Sequence, residues 1–284
     1  MPHQTSESFT WNKQDWTPLS EMADGFDEYR PPLSEALAGK TITLDCVLVG
    51  SDGSEHTFTH DFSAGSLTWS RTDNDGVQTG AADYEAFEMQ DGLFFIHYRR
   101  PEADHPVVVT FALDLNSGQA TGAVGELGIG AEPHLAQQVW FQGQVSGSDA
   151  ARSDAHPHTE ELIGRRVRYA YSADDVYDHV YFNGQLFTWF CASGAEAGLG
   201  DMDRCVHWKL GEQTYLFSWL EKNVGVEGMV LIDLNALRTV GIQFGLDQQS
   251  GDLVNITMGA YAMPLGDAAP GVDKALPGPT PDNV

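Results

Sequence analysis

The sequence predicts an all-β protein: two antiparallel barrels in tandem behind an irregular N-terminal arm. Three observations predict it. An internal repeat divides the chain, short segments alternate polar and apolar residues, and turn residues rather than helical crossovers separate those segments.

The repeat shows in three landmarks that recur in the same order. Leu37-Ala38-Gly39-Lys40 opens one copy and Leu162-Ile163-Gly164-Arg165 the next. Gly65-Ser66-Leu67-Thr68-Trp69 is echoed, with one extra residue, by Gly184-Gln185-Leu186-Phe187-Thr188-Trp189. Ala112-Leu113-Asp114-Leu115-Asn116 followed by Ala120-Thr121-Gly122 is echoed by Leu231-Ile232-Asp233-Leu234-Asn235 followed by Arg238-Thr239-Val240-Gly241.

Strands follow from the period of two, which puts alternate side chains on one face. In the first copy they are expected at Thr41–Cys46, His56–Phe62, Ser66–Arg71, Tyr84–Gln90, Leu93–Arg99 and Val107–Leu113. Asp73-Asn74-Asp75-Gly76, Gln90-Asp91-Gly92 and Asn116-Ser117-Gly118 supply turns between them. The second copy gives Arg166–Tyr171, Val176–Phe182, Leu186–Phe190, Cys205–Leu210, Thr214–Leu220, Met229–Asp233, Arg238–Phe244 and Asn255–Tyr261. Closing such a meander removes exposed edges, and an eight-stranded barrel leaves room for one small ligand. The expected organisation is an arm over 1–36 with a short helix near Leu19–Ala23, a barrel over 37–145, a linker over 146–159, a barrel over 160–264 and a loose tail over 265–284. Trp11 and Trp16 are candidate anchors of the arm.

Composition narrows the function. Of 284 residues, 41 are Asp or Glu and 15 are Lys or Arg, a net charge of −26. That charge repels phosphate backbones and anionic membranes, so neither nucleic acid nor membrane is an expected partner. No apolar run reaches the ~18 residues of a membrane span. The polar start at Met1–Asp15 has no leader pattern, and three cysteines, Cys46, Cys191 and Cys205, form no CxxC. A reducing cytoplasm is the expected location, and the oligomeric state is open, a homodimer included.

Further landmarks carry a family resemblance. Met22-Ala23-Asp24-Gly25-Phe26, Pro31-Pro32, Leu37-Ala38-Gly39-Lys40 and Asp83-Tyr84-Glu85-Ala86 with Phe94-Phe95 resemble the N-terminal module of the molybdenum-cofactor-biosynthesis-protein-F (MoaF) family. Val180-Tyr181-Phe182-Asn183, Thr188-Trp189-Phe190-Cys191, Gly198–Cys205, Trp219-Leu220-Glu221-Lys222 and Arg238-Thr239-Val240-Gly241 resemble its C-terminal module. The resemblance implies two lipocalin-like, calycin-type barrels in one chain. It also associates the chain with molybdenum cofactor assembly or with monoamine metabolism. The second copy resembles, more loosely, the lipocalin-like phenolic acid decarboxylases, which use two tyrosines, a Glu after Ser-Trp, and an Arg. Tyr169, Tyr171 and Glu221 fit that set; Arg204 is the candidate arginine, at a spacing from Glu221 shorter than the resemblance asks.

The residues themselves support a small-molecule site in the second copy. Tyr169 and Tyr171 share a face with Val167, and Glu221 shares one with Tyr215, Phe217 and Trp219. A carboxyl among aromatic rings loses hydration, its pKa rises, and it becomes a proton donor or acceptor near neutral pH. Two phenols would orient a small aromatic metabolite, Trp189 and Trp219 would enclose its ring, and Arg204, if it faces inward, would pair an anionic group. The competing reading leaves Glu221 in solvent at a strand end and the tyrosines as core filler. His207 is a further candidate; it faces outward if Trp208 packs inward with Val206, and a bulge would reverse this. The first copy lacks the polar set, with Leu44, Cys46 and Arg100 at the positions of Tyr169, Tyr171 and Glu221.

No cofactor or metal is expected. GxGxxG after a strand, a P-loop and GxSxG are absent from the sequence. His156-Pro157-His158 with Glu160 and Glu161 has no fixed third ligand, and Glu196, Asp201 and Asp203 read as an acidic solvated loop. The expectation is therefore a binding protein and candidate cofactor-independent lyase or isomerase acting on a small aromatic metabolite. The alternative is a non-catalytic accessory protein in pterin or monoamine metabolism.

Overall fold

The computed structural model describes residues 17–50, 55–101, 103–128, 136–147 and 155–267. The first copy forms β1 (Thr41–Leu48), β2 (Glu55–Phe62), β3 (Ser66–Asp73), β4 (Gly76–Gln90), β5 (Leu93–Arg99), β6 (Val107–Asp114), β7 (Gln119–Leu127) and β8 (Ala136–Val145). The second forms β9 (Arg165–Ala170), β10 (Val176–Asn183), β11 (Leu186–Ser193), β12 (Gly200–Gly211), β13 (Thr214–Leu220), β14 (Val226–Asp233), β15 (Arg238–Leu246) and β16 (Leu253–Asp267). Each strand pairs antiparallel with the next, β8 closes on β1, and β16 closes on β9, giving two closed barrels.

The sequence repeat is a repeat of geometry. Gly39 and Gly164 both take left-handed backbone, φ +80° and +81°. Their N–H groups donate to Phe62 O and Tyr181 O, each at 2.8 Å. A glycine is favoured there because a Cβ makes that conformation unfavourable. The tight turns also superpose in role: Leu115 N donates to Gly92 O and Leu234 N to Gln213 O, both at 2.9 Å.

Two strands of the first barrel, β7 and β8, were not expected as strands. Gly, Ala and Gln dominate them, and such residues give weak strand propensity and a weak alternation. β7 is held by fit instead: a Cβ on Gly122 would meet Thr110 O and Phe111 Cβ, each at 2.3 Å, so the backbone lies close against β6.

The first barrel fills its own interior. Leu44, Cys46, Phe58, Phe62, Phe94, Ile96, Tyr98 and Phe111 pack together there. One polar pair, His60 Nε2 and Tyr98 Oη at 3.0 Å, is satisfied within it.

A third apolar cluster joins the barrels. Phe87, Leu93, Phe95, Val108 and Ala112 of the first pack on Trp208, Leu216, Met229, Leu231, Val240 and Phe244 of the second. Strands β5, β6, β13, β14 and β15 are therefore buried on both faces almost throughout. Each large apolar side chain buried there contributes roughly 1.5–3 kcal/mol by leaving water. Gln138 of β8 and Ser218 of β13 hydrogen-bond across it, with Gln138 Nε2 2.7 Å from Ser218 Oγ. Residues 155–159, expected within a linker, pack here too. His156 Nδ1 lies 2.9 Å from Thr121 Oγ1, and the His158 ring stacks on Trp208 with centroids 3.7 Å apart.

The arm reaches the second barrel. Helix α1 (Leu19–Met22) is short, and its Ser20 donates twice to Asp247 Oδ2, from N at 3.0 Å and from Oγ at 2.7 Å. Leu19, Met22 and Phe26 join the interior cluster of that barrel. The expected anchors Trp11 and Trp16 lie outside the described residues, as does the tail beyond 267; β16 itself runs on through Pro264, which pairs with Val167.

Candidate functional site

The second barrel has a packed end and an end with a cavity. At the packed end Tyr215 Oη donates to Glu161 Oε2 at 2.9 Å, and Lys209 pairs with the same carboxylate. Along β13 the inward face then runs Tyr215, Phe217, Trp219, and Glu221 follows at the mouth. Trp219 Nε1 donates to Glu221 Oε1 at 3.4 Å, a long bond.

The cavity at the mouth has about 420 Å³ of empty space, opening included. Tyr171, Tyr177, Phe187, Trp189 and Trp219 form its walls, with Glu196, Glu221, His179 and Gln243 as its polar groups. Met22 and Phe26 of the arm complete the lining. Phe26 stacks on Tyr171 (centroids 4.5 Å, 11°) and meets Tyr177 edge-on at 5.5 Å. With this plug in place the enclosed part has room for roughly three waters.

The electrostatics are those of acids kept from water. Burial, and then the nearby charges of Asp203 and Glu196, push the Glu221 carboxyl up to about 8. Burial also raises Glu196 to about 7, although Tyr177 Oη donates to its Oε2 at 3.0 Å and opposes the shift. Asp203 is raised by burial against two restraining bonds: Trp189 Nε1 donates to Oδ2 at 3.0 Å and Lys222 N to Oδ1 at 3.0 Å. His179, among the rings of Tyr169, Phe187 and Phe217, is lowered to about 3 by burial and stays neutral. The cavity thus offers carboxyls able to hold or release protons near neutral pH. Among the described residues no group of three or more His, Cys, Asp or Glu is placed to hold a metal ion.

The expected site residues divide. Glu221, Tyr171, Trp189 and Trp219 line the cavity. Tyr169 sits deeper, its Oη 2.9 Å from Tyr181 Oη, and does not reach the lining. Tyr215 and Phe217 belong to the packed end. Arg204 is exposed on the outer face of β12, because alternation turns Asp203, Cys205 and His207 inward. The anion-pairing role offered for Arg204 is corrected accordingly: its side chain is outside the cavity, and carboxyls line the mouth instead. His207 is buried in the interior, its Nε2 3.3 Å from Cys205 Sγ, while Trp208 points out to the seam. Of the two directions the sequence left open, the structure has His207 inward and Trp208 outward, without a bulge at this point, because the first barrel covers that outer face.

Several residues of the cavity were missed, as was Asp203, which lies behind its wall and accepts from Trp189 Nε1. Glu196 and Asp203, read as a solvated loop, are 5% and 3% exposed. Tyr177 and His179 were legible as one face of the strand Val176–Phe182, whereas Gln243 was not, because the apolar alternate set of its strand, Val240, Ile242 and Phe244, faces the seam and leaves the polar set inward. No periodic signal marks Met22 and Phe26, since the arm approaches the barrel as irregular chain.

Comparison with known proteins bears on both barrels. Residues 14–129 match the MoaF N-terminal domain and residues 156–268 the MoaF C-terminal domain. Protein MoaF of Klebsiella aerogenes is 33% identical over 193 residues, which are 64% of this chain and 73% of that protein. A crystal structure described as a putative beta-lactamase from Burkholderia vietnamiensis aligns with 37% of this chain and 95% of its own, at 13% identity and TM-score 0.32, too loosely to bear on function. With its two halves matching the two domains in order, and with that relative, the chain belongs to the MoaF family.

Proposed function

We propose that the second barrel binds a small aromatic metabolite and acts on it by cofactor-independent acid–base chemistry. The observation that carries this is the Glu221 carboxyl, raised by burial to about 8 beside the aromatic walls of the cavity. Near neutral pH it is protonated and able to donate; Glu196, at about 7, is placed to accept. The reaction class that suits such a pair is proton transfer with bond cleavage or isomerisation, of the lyase or isomerase type. Trp189 and Trp219 supply ring faces, and the phenol of Tyr171 adds a hydrogen-bonding edge. An acidic mouth with no arginine in its lining among the described residues disfavours a carboxylate substrate, so the phenolic acid decarboxylase reaction is not the form proposed.

A screen of phenols, aromatic amines and pterins for quenching of tryptophan fluorescence tests binding. The compounds that bind are then assayed for turnover. Glu221→Gln is expected to keep binding within about threefold and to lower turnover at least about 100-fold, the usual contribution of a general acid. Unchanged turnover in that variant contradicts the reading. A second reading is a non-catalytic carrier, for a pterin of molybdenum cofactor assembly or an aromatic monoamine. It is favoured by the arm that seals the mouth, and it predicts quenching without turnover.

A further inference from the structure

The interior of the second barrel satisfies nearly all its polar groups. Tyr169 meets Tyr181, Trp189 meets Asp203, and Tyr177 meets Glu196. Three buried atoms of the interior are exceptions: His207 Nδ1, away from the cavity lining, and two at the cavity. Gln243 Oε1 and His179 Nδ1 have no hydrogen-bond partner, and their residues are 6% and 5% exposed. Both residues line the cavity.

Their placement follows from the strands. On β15, Val240, Ile242 and Phe244 face the seam, so Thr239, Gly241 and Gln243 face inward. Gly228 and Gly241 carry no side chain, and the Trp219 ring occupies the space beside Gly228. The Gln243 amide therefore meets the cavity among rings and glycines. His179 lies on β10 between Tyr177 at the mouth and Tyr181 at the packed end. An unmet buried hydrogen-bonding atom is destabilising, and a guest of matching chemistry relieves that cost.

We propose that Gln243 and His179 are the polar anchors of the ligand, which is an aromatic molecule carrying a hydroxyl or ring N–H that donates to Gln243 Oε1. The proposal rests on the second barrel being the small-aromatic site and adds which groups of the ligand are read. The fit is selective because a site with unmet polar atoms rejects an analogue that lacks the matching group.

p-Cresol and toluene form the test pair, titrated into the full chain and followed by tryptophan fluorescence. Toluene is the more apolar, so burial alone favours it. The expected result is p-cresol binding at least tenfold tighter, with that preference falling to within twofold in Gln243→Leu and weakening in His179→Phe. Without ligand, Gln243→Leu should unfold at the same temperature as the wild type or higher, since it removes an unmet amide. Equal binding of the two probes, or a preference that survives both variants, overturns the proposal. So does a marked loss of thermal stability in unliganded Gln243→Leu, which would make the amide structural. Toluene binding without preference removes this inference alone; failure of both probes removes the aromatic-site reading with it.

Discussion

Replacing Glu221 with Gln should change how stability depends on pH, and the sign is fixed by the structure. In an unfolded chain this carboxyl titrates near 4.5, and in the barrel at about 8. Between those values the folded protein holds a proton that the unfolded chain has released. Stability is thus fully present below about pH 4.5 and is lost as pH rises through about 8. The full displacement corresponds to at most about 5 kcal/mol. Glu221 keeps partial contact with water at the mouth, and screening reduces the expected effect to about 2 kcal/mol. Glutamine keeps the shape and cannot ionise. Urea unfolding at pH 5 and pH 9 measures the difference. The wild type should lose about 2 kcal/mol more than Glu221→Gln over that interval. Glu227, buried at the seam and also raised to about 8, and Glu196 titrate in both proteins and largely cancel in the comparison. Parallel pH profiles would refute the claim that Glu221 is kept from water.

Two other substitutions test the mouth and the repeat. Phe26→Ala removes the ring stacked on Tyr171 and should speed p-cresol association at least about tenfold in stopped-flow fluorescence; the variant should lose no more than about 3–5 kcal/mol of stability, the usual range for a deleted core ring. An unchanged association rate would mean the arm does not control entry. Leu237 holds φ 54° while 45% exposed, so Leu237→Gly should relieve left-handed strain and raise stability by about 0.5 kcal/mol after the added chain entropy, near 1–2 °C by calorimetry. A fall in melting temperature would show that the leucine side chain packs more than its exposure implies.

Much of the architecture was readable because a strand's period of two is a local property. Tyr215, Phe217 and Trp219 announced one face of β13, and Glu221 followed on the same side. Gly39 and Gly164 announced equivalent turns. Period two does not say what covers the other face. Trp208 alternates with His207 whether solvent or a second barrel lies outside, and only the seam decides that the indole is buried there. Loops are harder still. Glu196 and Asp203 read as solvated by composition, yet both are buried, Glu196 in the loop after β11 and Asp203 on the inward side of β12. Phe26 was unreadable because its contact with Tyr171 joins residues about 145 positions apart through chain with no periodicity. The strands β7 and β8 escaped for the opposite reason: close backbone approach at Gly122, not side-chain pattern, holds that part of the sheet.

The two copies differ at the positions of the proposed site. At the positions of Tyr171 and Glu221 the first barrel carries Cys46 and Arg100. Cys46 lies in the packed interior, and burial pushes its thiol up to about 12, so it stays protonated and inert. Arg100 stacks over the Trp69 ring, its Cζ 4.3 Å from the centroid. The outer face of the first barrel supports β13–β15, which carry Trp219 and Gln243 on their inner side.

A crystal structure of the full chain with p-cresol bound tests the central claim most directly. The account predicts the ring between Trp189 and Trp219, Phe26 displaced from its place against Tyr171, and the hydroxyl within hydrogen-bond distance of Gln243. A closed second barrel with the phenol in the first barrel or on the outer surface would contradict it.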